Sequence, residues 1–211
     1  MPQTGFEARL RETRIVPVIT IAELDTAVEL ATALRDGGLP ILEITLRTAA
    51  GVEAIRRIAA EVDDVLVGAG TVRTPQQLHR AREAGAQFIV SPGSTPALLQ
   101  AAAQAGGDLL PGAVTASEVM ALADAGISLM KFFPAQSSGG AEAVRALQGP
   151  FPDISFCPTG GIDLARAPEY LALPNVAAVG GTWMVPAGLI ERREWDAIRK
   201  LSAEAVAALR G

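Results

Sequence analysis

The chain is poor in the residues that build disulfides, metal centres and nucleic-acid interfaces. It has one cysteine and one histidine in 211 residues. An internal disulfide is therefore excluded, and a Cys/His zinc site, which typically draws on about three or four such ligands, lacks the means to form. Aromatic residues make up only 4% of a chain that is 49% hydrophobic, so Ala, Val, Ile and Leu have to build the core. Charged residues are also sparse at 19%, and the net charge of -5 opposes a nucleic-acid footprint. No run of Lys or Arg offers a polybasic membrane patch. Nor does any stretch reach the roughly 18 apolar residues of a bilayer span. The opening MPQTGFEARLRETR has no apolar segment of the kind a secretory signal carries. Together these absences predict a soluble, cytoplasmic protein with neither nucleic-acid nor membrane partners. The length suits one domain over residues 1–211.

What the chain does have is a repeat. Short apolar runs recur at 15–19 (IVPVI), 41–46 (ILEITL), 65–68 (VLVG), 88–90 (FIV), 109–110 (LL), 129–133 (LMKFF), 154–157 (ISFC) and 176–179 (VAAV), each followed by a turn and a helical pattern. RDGG at 35–38, EAG at 83–85, QAGG at 104–107 and DAG at 124–126 supply glycines suited to the left-handed residue that ends many helices. Helix starts are marked as well. Thr74-Pro75 and Thr95-Pro96 pair an N-cap with proline at the first helical position, and Thr115 through Glu118 reads as a capping box.

Eight strand–helix units predict parallel strands joined by crossovers, which close into an α/β fold of the (β/α)8 barrel type. An open doubly wound sheet is the alternative, but no GxGxxG turn follows the first strand. Residues 3–12 read as a short helix closing the bottom of the barrel. Residues 191–210 read as a closing amphipathic helix with a solvated charged face.

In such a barrel the active site lies at the C-terminal ends of the strands. Period-two alternation puts Ile41, Glu43, Thr45 and Arg47 on one face, and the apolar Leu42, Ile44 and Leu46 on the other. The apolar face should meet the helices, so Glu43 and Arg47 point towards the axis. They could merely neutralise each other, but desolvation makes a buried pair a weak source of stability. Lys131 stands alone among Leu129, Met130, Phe132 and Phe133. It is either a stem that packs while its amine reaches solvent, or a nucleophile. A lysine withdrawn from water is disfavoured as ammonium, which frees the amine to form a Schiff base with a carbonyl. With Glu43 and Arg47 facing the same interior, the nucleophile is the stronger reading.

Loops supply the rest. Thr71 follows GAG at 68–70, and Ser91-Pro92-Gly93 ends the fourth strand. Gly160-Gly161 and Gly180-Gly181-Thr182 fall in the loops after strands seven and eight, the recurrent phosphate site of this fold, where glycines before helices let N–H groups approach an anion. His79 reads as surface, Cys157 as a small buried apolar residue, and Trp183 as core or mouth lining. A lysine nucleophile, a carboxylate, an arginine that could hold a carboxylate together with Thr71, and a phosphate cradle suit carbon–carbon cleavage next to a 2-keto acid. The imine route needs no cofactor, and no metal site is expected.

ILEITLRT at 41–48, VGAGTV at 67–72, SPG at 91–93, MKFFPA at 130–135, CPTGGI at 157–162 and GGTWMVPA at 180–187 closely resemble the 2-keto-3-deoxy-6-phosphogluconate (KDPG) and 4-hydroxy-2-oxoglutarate (KHG) aldolase family, in order through nearly the whole chain. The resemblance implies a class I aldolase on a (β/α)8 barrel, often trimeric. It would yield pyruvate and glyceraldehyde 3-phosphate, and with the second substrate pyruvate and glyoxylate. By motif, the Schiff-base lysine falls on Lys131 and the general acid/base on Glu43. Carboxylate contacts fall on Arg47 and Thr71, with Thr159 close to the keto acid and Pro92 and Phe133 lining the pocket. Phosphate contacts fall on Gly160, Gly161, Gly181 and Thr182. Two departures stand out. Gln136 follows KFFPA where many relatives have Glu, and Thr182 replaces a common Ser but keeps a hydroxyl. A related branch acts on the phosphogalactonate epimer, whose motif after strand two usually differs from TLRT. Other readings of the residues are a metal-free sugar-phosphate isomerase or epimerase and a silent sugar-phosphate-binding barrel.

Overall fold

The computed structural model describes residues 5–209. The parallel strands are β1 (Ile15–Ile19), β2 (Ile41–Thr45), β3 (Leu66–Gly70), β4 (Phe88–Val90), β5 (Asp108–Leu110), β6 (Gly112–Ala113), β7 (Leu129–Phe132), β8 (Ser155–Pro158) and β9 (Val179–Gly181). β5 and β6 are one stave broken at Pro111, which has no N–H to donate. Its first half pairs with β4 and its second half with β7, and the Lys131 N–H donates to the Pro111 carbonyl at 2.8 Å. The order β5-β4-β3-β2-β1-β9 continues through β6-β7-β8. Parallel bridges Phe156–Val176 and Thr159–Gly180 then join β8 to β9 and close the ring. The eight staves of the expected barrel are therefore present in the expected order.

Alternation along each strand separates two cores. Val16, Ile41, Phe88, Val90, Leu129 and Cys157 fill the lower half of the barrel interior. Ile15, Leu42, Ile44, Ile89, Met130, Phe132 and Phe156 face outward and pack under the helices. The interior is plugged from below by α1 (Gly5–Thr13), whose Phe6 stacks on Phe88 at 4.8 Å between ring centroids. That is the bottom closure expected of residues 3–12, of which 3 and 4 lie outside the described residues. The buried Glu7 of this plug is held by Arg11, which also donates to Ser155 Oγ at the start of β8 at 2.6 Å.

The helix signals act as their chemistry requires. After α2 (Ala27–Asp36) and α3 (Gly51–Glu61), Thr74 and Thr95 accept from the backbone N–H of Gln77 and Leu98 at the starts of α4 (Pro75–Glu83) and α5 (Pro96–Ala105). Thr115 and Glu118 form a full capping box on α6 (Ala116–Asp124), and α7 (Gly140–Leu147) and α8 (Ala167–Leu171) follow β7 and β8. Gly38, Gly85, Gly106 and Gly126, which close helices, all have positive φ. The end of the chain differs from expectation. The run at 191–210 takes in the last residue of α9 (Ala187–Glu191) and then α10 (Trp195–Leu209), separated by a break at Arg193, which has φ of 56°, and residue 210 lies outside the described residues. α10 buries Ile198, Ser202, Ala205 and Leu209, while its charges stay in solvent.

The eighth strand is also displaced. Its ladder runs over 179–181, not 176–179, because β1 pairs Ile15, Val16 and Pro17 with Val179, Gly180 and Gly181. Gly180 and Gly181 thus lie in the stave, not in the loop after it.

Candidate active site

At the C-terminal mouth, β2 and β7 bring together the two charges that break the apolar pattern. Lys131 and Glu43 are 4% and 2% exposed, and Lys131 Nζ donates to Glu43 Oε1 at 3.1 Å and Oε2 at 3.3 Å. The Lys131 amine also lies 5.2 Å from the centroid of the half-buried Phe133 ring. Both side chains project inward, one step above the apolar plug, Glu43 on the face that alternation along β2 required. A carboxylate at this depth needs space, and Gly70 on the neighbouring strand provides it. A Cβ there would overlap Glu43 Oε1 and sit 2.6 Å from its Cγ.

Arg47 departs from the simple alternation argument. β2 ends at Thr45, and Arg47 stands in the exposed turn beyond it. It nevertheless reaches the end of β3, where its Nε donates to Thr71 Oγ1 at 3.0 Å. Thr71 has φ of 58°, the left-handed region that side-chain-bearing residues rarely occupy. The two residues expected to hold a carboxylate are therefore already joined at the rim through Nε, a contact that does not use the terminal guanidinium nitrogens. Pro92 is half-buried just past β4.

Thr159 follows β8, is 6% exposed, and donates to the Cys157 carbonyl at 3.3 Å. Its place requires Gly180, since a Cβ there would overlap Thr159 Oγ1. Cys157 pairs with Lys131 across β7–β8 and is buried beneath the mouth. Burial pushes its thiol up to about 12, against the opposing pull of Lys131, so it stays neutral and acts as apolar packing.

The glycine loops are only partly as expected. Gly160 and Gly161 have φ of 105° and 74°, a turn that glycine alone takes readily. Gly161 lies over Gln136, where a Cβ would come within 2.8 Å of the Gln136 Cβ. The substituted Gln136 thus sits directly beneath this loop. Neither glycine pair abuts a helix, because α8 (Ala167–Leu171) starts several residues later, as does α9. Gly181 is buried in β9 with no room for a side chain, because a Cβ would overlap the Trp183 ring. Trp183 is half-buried and packs against the outer core. Thr182 is exposed at the rim. His79 is exposed on α4, away from this end.

Two neighbours carried no role in the sequence. Thr45 is fully buried one step above Glu43, and its Oγ1 lies 2.9 Å from Thr20 Oγ1 at the end of β1. Thr20 and Thr182 line one cleft of about 330 Å3 that opens at the mouth. The signal for Thr20 was present, since it continues the inward row of Val16 and Val18, but a threonine at a strand end reads as ordinary turn chemistry. Among the described residues, no three His, Cys, Asp or Glu side chains cluster as a metal would need, and no helix is long and apolar enough to cross a membrane.

Known proteins show the same arrangement of sequence and fold. Residues 6–201 match the family model of KDPG and KHG aldolase. The KHG/KDPG aldolase of Escherichia coli (strain K12) is 50% identical over 204 residues, covering 97% of this chain and 96% of that protein. The crystal structure of KDPG aldolase from Legionella pneumophila, with pyruvate captured at low pH as a covalent carbinolamine, is 43% identical. It superposes with a TM-score of 0.93, covering 96% of this chain and 98% of that one. The corresponding aldolase of Zymomonas mobilis ZM4 with 3-phosphoglycerate is 41% identical, with a TM-score of 0.91 over 98% of this chain and 97% of that one. The chain belongs to the KDPG and KHG aldolase family.

Proposed function

We propose that this protein is a class I aldolase that reversibly cleaves KDPG to pyruvate and glyceraldehyde 3-phosphate. It also cleaves KHG to pyruvate and glyoxylate. The observation that carries the reading is the buried Lys131–Glu43 pair at the C-terminal mouth. The names of the relatives and the carbinolamine in the Legionella enzyme support it. TLRT at 45–48 favours the gluconate over the galactonate epimer.

Lys131 must lose a proton before it can attack, and Glu43 is the acceptor within 3.3 Å. The free amine adds to the C2 ketone, giving a carbinolamine, and Glu43 returns its proton to the carbinolamine hydroxyl, which leaves as water to form an iminium and restores the carboxylate. Arg47 and Thr71 hold the adjacent carboxylate and so fix the plane of this electron sink. Glu43 then takes the proton of the C4 hydroxyl, directly or through a water. The C3–C4 bond breaks, its electrons pass to the iminium, and the aldehyde leaves. Protonation of the enamine at C3 and hydrolysis release pyruvate and restore Lys131. Thr159 flanks the keto acid, with Pro92 and Phe133 as pocket walls. Gly160, Gly161, Gly181 and Thr182 receive the phosphate, chiefly through the open turn and the Thr182 hydroxyl. The enzyme works in the cytoplasm as a homotrimer, and sedimentation as a monomer at micromolar concentration would contradict that assembly.

Intact mass after incubation with pyruvate and borohydride tests the chemistry. Wild type gains a reduced adduct of about 72 Da and Lys131→Ala gains none. Folded wild type without an adduct would overturn the reading.

A further inference from the structure

The Thr20–Thr45 hydroxyl pair stands where no role has been assigned, at the wall between the base and the phosphate contact. β1 lies between β9 and β2 in the barrel order. Thr20, at the end of β1, therefore sits between Thr182 after β9 and Glu43 and Thr45 on β2. Substrate atoms that run between the Glu43 side of the mouth and a phosphate at Thr182 lie alongside this wall. Thr45 is fully buried, so its hydroxyl has only local partners, and it shares one bond of 2.9 Å with Thr20. Two hydroxyls joined by a single hydrogen bond use one proton between them, which leaves a donor and lone pairs over. Thr20 is exposed and lines the cleft, so the spare capacity is presented there.

The lining of that cleft narrows what it takes. Val18, Val185 and Pro186 form apolar walls, and Glu23 and Glu191 add negative charge. Glu23 is paired with Arg193 at 3.8 Å, and between the apolar walls an uncharged substrate hydroxyl meets a matched partner in Thr20, next to the phosphate contact at Thr182.

Resting on the aldolase reading above, we infer that Thr20 is a specificity-determining residue whose hydroxyl, oriented by Thr45, binds the C5 hydroxyl of KDPG. KHG has a carboxylate carbon at that position and offers no such group. Thr20 therefore favours the hydroxylated, phosphorylated aldehyde half over the glyoxylate half.

The test compares kcat/KM for cleavage of KDPG and KHG by wild type, Thr20→Val and Thr20→Ser. The valine keeps the shape of threonine and removes its hydroxyl. The expected result is a fall of about tenfold for KDPG, a change of under about twofold for KHG, and recovery towards wild type in the serine variant. Equal losses on both substrates would make Thr20 a structural support of Thr45 and overturn the assignment. Unchanged values on both would overturn it as well. A wild-type protein that forms no pyruvate adduct with borohydride would instead remove the aldolase reading, and the inference with it.

Discussion

Lys131 and Glu43 stand 88 residues apart in the chain, yet the lysine amine bridges both carboxylate oxygens inside the barrel. Two charges withdrawn from water lose hydration that their mutual attraction repays only in part. The pair is therefore a feature of chemistry maintained against stability. Removing one partner leaves the other buried alone. Lys131→Met should cost about 3–5 kcal/mol of unfolding free energy, while the double change Lys131→Met with Glu43→Leu should return to wild-type stability or exceed it. Denaturant midpoints of the three proteins would show this, and a double variant less stable than the single one would contradict it. Neither variant should form the pyruvate adduct.

Gly70 separates positioning from nucleophilicity. In Gly70→Ala the new methyl collides with the Glu43 carboxylate and pushes it off its line to Lys131. Turnover should fall by about a hundredfold, as displacement of a reacting group by an ångström can cost. Borohydride trapping should still label Lys131. Stability should drop by about 1–3 kcal/mol from overpacking. Wild-type turnover in this variant would show that Glu43 has other room.

Arg47 acts through the shape of its guanidinium. Its Nε is committed to Thr71 Oγ1 at 3.0 Å, which leaves the terminal nitrogens for a carboxylate. A lysine at 47 keeps the charge but loses both the fork and the threonine contact. Arg47→Lys should raise KM for pyruvate in the condensation direction by about tenfold, with a smaller effect on kcat. The outcome that contradicts this role is a loss confined to kcat.

Acid sensitivity should have a source remote from the site. The Glu118 carboxyl accepts the backbone N–H groups of Thr115 and Val114, and these hold it below its ordinary value near 4.5. The unfolded chain therefore takes up this proton first. The contribution is complete above the unfolded value and is lost as pH falls through the lower folded one. Glu118→Gln should flatten the acid limb of the stability profile over that window. Thr115→Ala, which removes the other half of the capping box, should cost about 1 kcal/mol at neutral pH. Urea unfolding from pH 6 to pH 3 would check both, and parallel acid limbs in wild type and Glu118→Gln would contradict the assignment.

Much of the architecture was readable from local patterns. Strand runs, glycine helix ends and threonine caps rest on backbone preferences that a few neighbouring residues set, alternation placed Glu43 on an inward face because side chains switch sides at every strand residue, and Lys131 stood out as the lone charge in an apolar run. Cys157 as apolar packing and His79 as surface followed from the same reasoning. What failed concerned pairing. Gly180-Gly181 reads as a loop until β1 claims both residues for its ladder, and Arg47 reads as a strand residue until β2 stops at Thr45. Strand ends are set by the neighbour's hydrogen bonds, which lie far away in sequence.

The sequence by itself determined the repeating strand–helix plan, the charge poverty of the interior, and the lysine and carboxylate that break it. Only the tertiary structure decided which strand ends meet: Lys131 with Glu43, Arg47 with Thr71, and Thr20 with Thr45. Local preference selects an element and its inward face, but these contacts between distant residues exist only once the barrel closes, because closure fixes the register in which the strand ends converge.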